Sequence, residues 1–182
     1  MTFQERADAA QHVAANTPLE IVLKQYSWAN TCQVLDVVVD NWKLLKEANL
    51  LEEAFLHAWS INKHGLPKWP MAECRWLFAL LDPNKLRNAG DTLPAGEVFT
   101  VYRGVAGNGA KRRVRGFSWT GDEGIARHFA ILREQGYGLP NPAVYRAGIH
   151  KRNVLAYINE SGRNEQEFLV WPECLINVTK MR

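Results

Sequence analysis

The stretch Glu160-Ser161-Gly162-Arg163-Asn164-Glu165-Gln166-Glu167-Phe168-Leu169-Val170 runs from a polar, glycine-containing loop into an apolar segment. A strand that begins at Glu165 puts Glu165 and Glu167 on one side, roughly 6.5–7 Å apart along it. Two carboxylates so placed repel one another unless something uses them. Strands also disfavour glutamate, so propensity does not account for the pair. One such carboxylate can stabilise a positive charge developing on a sugar while the other accepts a proton. The alternative is a solvated strand edge, and the segment by itself leaves both readings open.

Upstream, Tyr102-Arg103-Gly104 closes an apolar run. A guanidinium at a strand end suits bidentate recognition of phosphate, and a neighbouring glycine lets a ligand approach the backbone. A surface arginine in a salt bridge is the plainer reading of that tripeptide alone. In Phe117-Ser118-Trp119-Thr120, alternation places the two hydroxyls on one face. They can orient a carboxylate or a ribose, or Thr120 can simply cap the following helix.

Taken in order, strand-Arg-Gly, aromatic-Ser-x-Thr at a strand-to-helix junction, and Glu-x-Glu entering a strand resemble the R-S-E class of mono-ADP-ribosyltransferases. The resemblance covers about Val98 to Lys180. It implies NAD as the donor of ADP-ribose, with no metal. It implies that Arg103 holds a phosphate of NAD beside Gly104, and that Ser118 orients the catalytic Glu167 through a hydrogen bond with Thr120 in support. Glu165 would face the acceptor; in the family a glutamate there goes with arginine as acceptor. The implied partner is a macromolecule, protein arginine first, in a bacterial or phage effector or toxin, with room for an antidote or inhibitor protein. Some small members modify bases in DNA or RNA, so a nucleic-acid acceptor stays open, as does a non-catalytic NAD-binding module. Plain hydrolysis of NAD is not separable from transfer by sequence. The family's common Ser-Thr-Ser is Ser118-Trp119-Thr120 here, so the indole of Trp119 must point into the core. Nicotinamide favours stacking on a ring, for which Phe129, Tyr137 and Trp119 are the candidates.

The elements that must position these groups fall into two halves. Residues 1–95 read as helical and residues 96–182 as short strands with one helix. Thr17-Pro18-Leu19-Glu20 is a capping box with proline at the first helical position. Val34, Val38, Trp42 and Leu45, and then Leu51, Phe55 and Trp59, recur at helical spacing. His64-Gly65 before Pro67 predicts a helix stop, and Pro70 opens a helix that turns Cys74, Leu77, Phe78 and Leu81 inward. Asn84 to Gly96 predicts the joint between the halves. Strands are predicted at Val98 to Val105, Val114 to Trp119, Ala143 to Ile149, Val154 to Asn159, Glu165 to Trp171 and Cys174 to Lys180. Between them a helix capped by Thr120 or Asp122 carries Ile125, Phe129 and Leu132 as its apolar stripe. The expected fold is α+β: a helical subdomain, then an ADP-ribosyltransferase-like sandwich of two small mixed β-sheets. NAD would lie in the cleft between them, with the loop Glu160 to Asn164 against the acceptor.

Composition sets the bounds. Of 182 residues, 47% are hydrophobic and 23% charged, which excludes a disordered or fibrous chain. A net charge of +3 permits an acidic partner without demanding one. Lys111-Arg112-Arg113-x-Arg115 is the dense basic cluster, either a docking patch for an acidic surface or a solvated hairpin tip. Three separated cysteines predict neither a disulfide framework nor a zinc site, and the five histidines show no ligand spacing. Glu5, Arg6 and Asp8 interrupt any secretion signal at the start, and no apolar run is long enough to span a bilayer. The expectation is a reduced, cytoplasmic protein that does not enter membranes.

Overall fold

The computed structural model describes residues 1–62, 70–159 and 164–182. It is a mixed α+β structure of two compact units, Met1–Ala89 and Gly90–Arg182. The division falls a few residues before the expected one, and Asp91 already bonds to the segment 157–159 of the second unit. Asp91 N donates to Tyr157 O at 2.8 Å, and Asn159 N donates to the Asp91 carboxylate at 2.6 Å.

The first unit holds helices α1 (Phe3–Ala10), α2 (Pro18–Trp28), α3 (Val34–Asp40), α4 (Trp42–Glu47), α5 (Leu51–Ile61), α6 (Met71–Leu80) and α7 (Pro83–Ala89). Capping boxes open α1 and α2, at Thr2/Glu5 and Thr17/Glu20, each satisfying two orphan backbone donors. Leu35, Leu45, Phe55 and Leu77 are fully buried, and Phe55, Trp59 and Phe78 pack ring to ring at 5.2–5.5 Å. The predicted stop at 64–67 lies outside the described residues. The expected joint from Asn84 is corrected: α7 occupies 83–89. Asp82 caps it, accepting from Asn84 N and Lys85 N at 2.8 and 3.1 Å, with Pro83 at the first helical position.

The second unit holds β1 (Val98–Val105), β2 (Ser118–Thr120), helix α8 (Glu123–Tyr137), β3 (Ala143–His150), β4 (Val154–Ile158), β5 (Glu167–Val170) and β6 (Ile176–Lys180). They form one six-stranded sheet in the order β4-β5-β2-β1-β3-β6, and every pairing is antiparallel. The expectation of two mixed sheets is corrected on both counts. The sheet nevertheless has a seam. β1 pairs with β3 along its whole length, but with β2 only at Tyr102↔Thr120. One core draws on both sides of that seam: Phe99, Val101 and Ile149 meet Trp119, Phe168 and Val154, with the Phe99 and Phe168 rings 5.2 Å apart.

On the other face α8 lies against β1 and β3 through Ala126, Ala130 and Val144. Gly104 makes this possible: a Cβ there would fall 1.9 Å from Ala126 O and 2.6 Å from Ala130 N. The helix therefore turns its small residues inward, and the predicted stripe is corrected. Ile125 and Phe129 are half-buried and Leu132 is exposed.

Candidate active site

Arg103 follows Phe99 and Val101 on β1, and its side chain turns into the seam where β1 and β2 part. Its Nε donates to Arg113 O at 3.2 Å and its Nη1 donates to Ser118 O. A backbone carbonyl that a flat sheet would pair with an amide is thus satisfied by a guanidinium. β2 begins at Ser118 rather than at the predicted Val114, because the chain turns there: Arg113 has a left-handed backbone and Gly116 N donates to Val114 O at 3.1 Å. Gly116 provides the room, since a Cβ there would fall 2.5 Å from Arg103 Nη2. Glycine at this position had no signal in the sequence reading.

Two further guanidiniums approach. Burial lowers the Arg103 pKa to about 9, the positive charges of Arg133 and Arg113 push the same way, and Glu167 opposes them. The group stays charged at neutral pH. Arg133, on α8, is also lowered, first by burial and then by Arg113, with Tyr137 opposing. Its Nε is buried without a hydrogen-bond partner among the described residues, as is that of Arg112. Arg112 Nη2 donates to Asn141 O at 2.9 Å and its guanidinium lies 5.9 Å from the Tyr145 ring centre. Arg115 donates to Pro172 O at 3.1 Å. The basic cluster is therefore not a uniform solvated tip: Lys111 is exposed, while Arg113 is half-buried and its backbone O accepts from Arg103 Nε. Arg133 escaped the sequence reading, although its spacing from Phe129 (four residues on one helix) was visible.

Ser118, Thr120, Glu167 and Leu169 share a face. The β2–β5 ladder pairs Ser118 with Leu169 and Thr120 with Glu167. Ser118 is thus a diagonal neighbour of Glu167, at a backbone spacing of about 7–8 Å. Trp119 points the other way, 1% exposed, its Nε1 donating to Gly116 O at 2.9 Å. This is the orientation the departure from Ser-Thr-Ser required, and it removes Trp119 as a stacking ring. Phe129 and Tyr137 flank Arg133 at four-residue spacing, so the three share one face of α8.

Glu165 is not placed as expected. β5 begins at Glu167, and Gln166 has a left-handed backbone, φ 48°, as does Asn164 at 52°. The pleat that would have put Glu165 and Glu167 on one side is interrupted. Thr120 Oγ1 donates to Glu165 O at 2.5 Å, and Gly121 N donates to Gln166 O at 2.9 Å. The Thr120 hydroxyl also accepts from Asp122 N at 3.1 Å. It is occupied in building the turn. Likewise the space beside Gly104, expected for a ligand, is filled by α8. Of the loop expected against an acceptor, only Asn164 lies within the described residues. Left-handed backbone at a non-glycine residue costs about 1–2 kcal/mol, and Arg113 (φ 38°) shares it with Gln166. Such strain clusters at functional sites.

Among the described residues no group of three or more His, Cys, Asp or Glu is placed to hold a metal ion, and no helix is long and apolar enough to cross a membrane. The three cysteines are free thiols. Comparison of the chain with protein-family models, with curated proteins and with solved structures gave no match.

Proposed function

We propose that the 90–182 unit is a mono-ADP-ribosyltransferase that moves ADP-ribose from NAD to a macromolecular acceptor, protein arginine first, in an effector or toxin setting. The observation that supports it most is the positive charge of Arg113 and Arg133 acting on Arg103, with Glu167 opposing, and an Arg133 Nε that is buried without a hydrogen-bond partner among the described residues. Glu167 acts on Arg103 against those positive charges. A diphosphate, carrying two negative charges and several acceptor oxygens, is complementary to clustered guanidiniums.

NAD supplies a ribosyl group whose bond to nicotinamide breaks with the electron pair leaving on the nicotinamide. Arg103 and Arg133 would hold the diphosphate, and Phe129 would lie against the flat ring. Glu167 would stabilise the positive charge that develops on the ribose, by charge and by a hydrogen bond to a ribose hydroxyl. Glu165 would take the proton from the attacking nitrogen of the acceptor. Calorimetric titration with NAD tests the donor site: the parent binds, and Arg133→Ala binds at least tenfold more weakly, the loss of one charge-assisted contact of about 1.5–3 kcal/mol. A folded parent that does not bind NAD contradicts the reading.

A further inference from the structure

We infer that Thr120 is a positioning residue for the acceptor side of this site, through a clamp on the turn that carries Glu165; the inference rests on the transferase reading above. Three bonds meet at this point. The Thr120 hydroxyl donates to Glu165 O at 2.5 Å, and the next amide, Gly121 N, donates to Gln166 O at 2.9 Å. The same hydroxyl accepts from Asp122 N at 3.1 Å, and Asp122 caps α8 by accepting from Ile125 N at 3.0 Å. A single buried oxygen, on a residue 5% exposed, thus ties the start of the helix that carries Phe129 and Arg133 to the turn that carries Glu165.

The turn needs such a clamp. Asn164 and Gln166 both hold left-handed backbone, which neither residue adopts without cost. Gln166 is the less tolerant of the two. Gly121 admits it closely, since a Cβ there would fall 2.9 Å from Gln166 Oε1. The carbonyls on either side of the Gln166 Cα, those of Glu165 and of Gln166 itself, are therefore both held by the Thr120 hydroxyl and the Gly121 amide, and this restrains the backbone from which the Glu165 side chain leaves the turn.

The clamp acts on one half of the reaction. When nicotinamide leaves with its electron pair, the ribose carbon can take a lone pair from an acceptor nitrogen or from water. Attack by the nitrogen forms the new bond and leaves a proton, which passes to the Glu165 carboxylate. Water needs no such placement, and its proton can pass to bulk solvent. Loosening the turn therefore shifts the balance from transfer toward hydrolysis. A misplacement of about 1 Å at a reacting group can cost on the order of 100-fold.

The test compares the parent with Thr120→Val, which keeps the shape and removes the hydroxyl, and with Thr120→Ser, which restores it. Agmatine serves as guanidine acceptor, and both labelled transfer and nicotinamide release are followed. Amide hydrogen exchange is read at residues 164–167. The clamp predicts that Thr120→Val lowers transfer to agmatine by 10- to 100-fold more than it lowers nicotinamide release, raises the KM for agmatine, and speeds exchange at Gln166, with all three recovered in Thr120→Ser. Transfer and release falling in parallel in Thr120→Val, or exchange at Gln166 unchanged, would overturn the clamp while leaving the transferase reading in place. A folded parent that neither transfers label nor releases nicotinamide would overturn that reading, and the acceptor role of Thr120 with it.

Discussion

Replacing Gly116 by alanine separates the position of Arg103 from the stability of the fold. The Gly116 backbone lies outside the left-handed region, so alanine adopts it without strain. Its Cβ would lie 2.5 Å from Arg103 Nη2, 2.6 Å from Cζ and 3.0 Å from Nη1. The guanidinium must retreat by roughly 1 Å to regain ordinary contact. That carries the Nε bond to Arg113 O, already 3.2 Å long, beyond hydrogen-bonding range and displaces the bond to Ser118 O. Losing a hydrogen bond of a charged group costs about 1.5–3 kcal/mol, which is roughly 10- to 100-fold in the Kd for NAD. Stability falls by less, because the atoms that move end a flexible side chain. Gly104→Ala has the opposite signature. Its Cβ would meet the α8 backbone at 1.9 and 2.6 Å, and overpacking of that kind costs about 1–3 kcal/mol or more. The Tm then drops by roughly 4–8 °C per kcal/mol for a unit of this size. The assay is calorimetric titration with NAD beside thermal melts of the three proteins. Gly116→Ala binding NAD as tightly as the parent, with an unchanged melt, would refute the role given to the Arg103 guanidinium.

Two other expectations follow from the same geometry. Trp119→Thr, which turns Ser118-Trp119-Thr120 into Ser-Thr-Thr, destabilises by about 3–5 kcal/mol, because it removes a side chain that is 1% exposed and leaves Gly116 O without its donor; a melt unchanged by this variant would contradict the packing. In the helical unit the Tyr26 hydroxyl and His57 Nδ1 lie 2.6 Å apart. Burial holds the His57 pKa below 6.5, against the charges of Asp8 and Glu53, and pushes that of Tyr26 up. The unfolded histidine then takes up a proton that the folded one resists, so stability is present above about pH 6.5 and is lost as pH falls below it. Thermal melts between pH 7.5 and 5 show that loss, above the range where carboxylates titrate, and His57→Gln flattens it; a parent with a flat profile there contradicts the account.

Local chemistry was legible where one residue type sufficed. The run Val98–Val105 became β1 with the predicted bounds, and the Thr17/Glu20 capping box opened α2. Pro70 did precede a helix that buries Cys74, Leu77 and Phe78. Tertiary packing decided the rest. The helix α8 shows large apolar residues at helical spacing, but Gly104 on another element lets Ala126 and Ala130 approach instead. The Asp82-Pro83 cap was hidden inside a stretch rich in turn formers. The start of β5 moved because Gln166 takes a left-handed backbone, which the bonds from Thr120 and Gly121 help to hold. Arg103, Ser118 and Glu167 were visible as residue types in order. The convergence of Arg113 and Arg133 on them was not, since it depends on how the β1–β2 connection and α8 fold back.

The central claim is tested most directly by incubating the protein with NAD labelled in the adenylate, with cell lysate as acceptor, beside the Glu167→Gln variant. Portions of the products are treated with protease or with nuclease before separation. The account predicts that the parent labels a macromolecule and releases nicotinamide, that Glu167→Gln does neither above background while melting at the same temperature, and that protease removes the label. Removal of the label by nuclease alone would move the acceptor to nucleic acid. A Glu167→Gln variant as active as the parent, or a folded parent that neither binds NAD nor releases nicotinamide, would contradict the account.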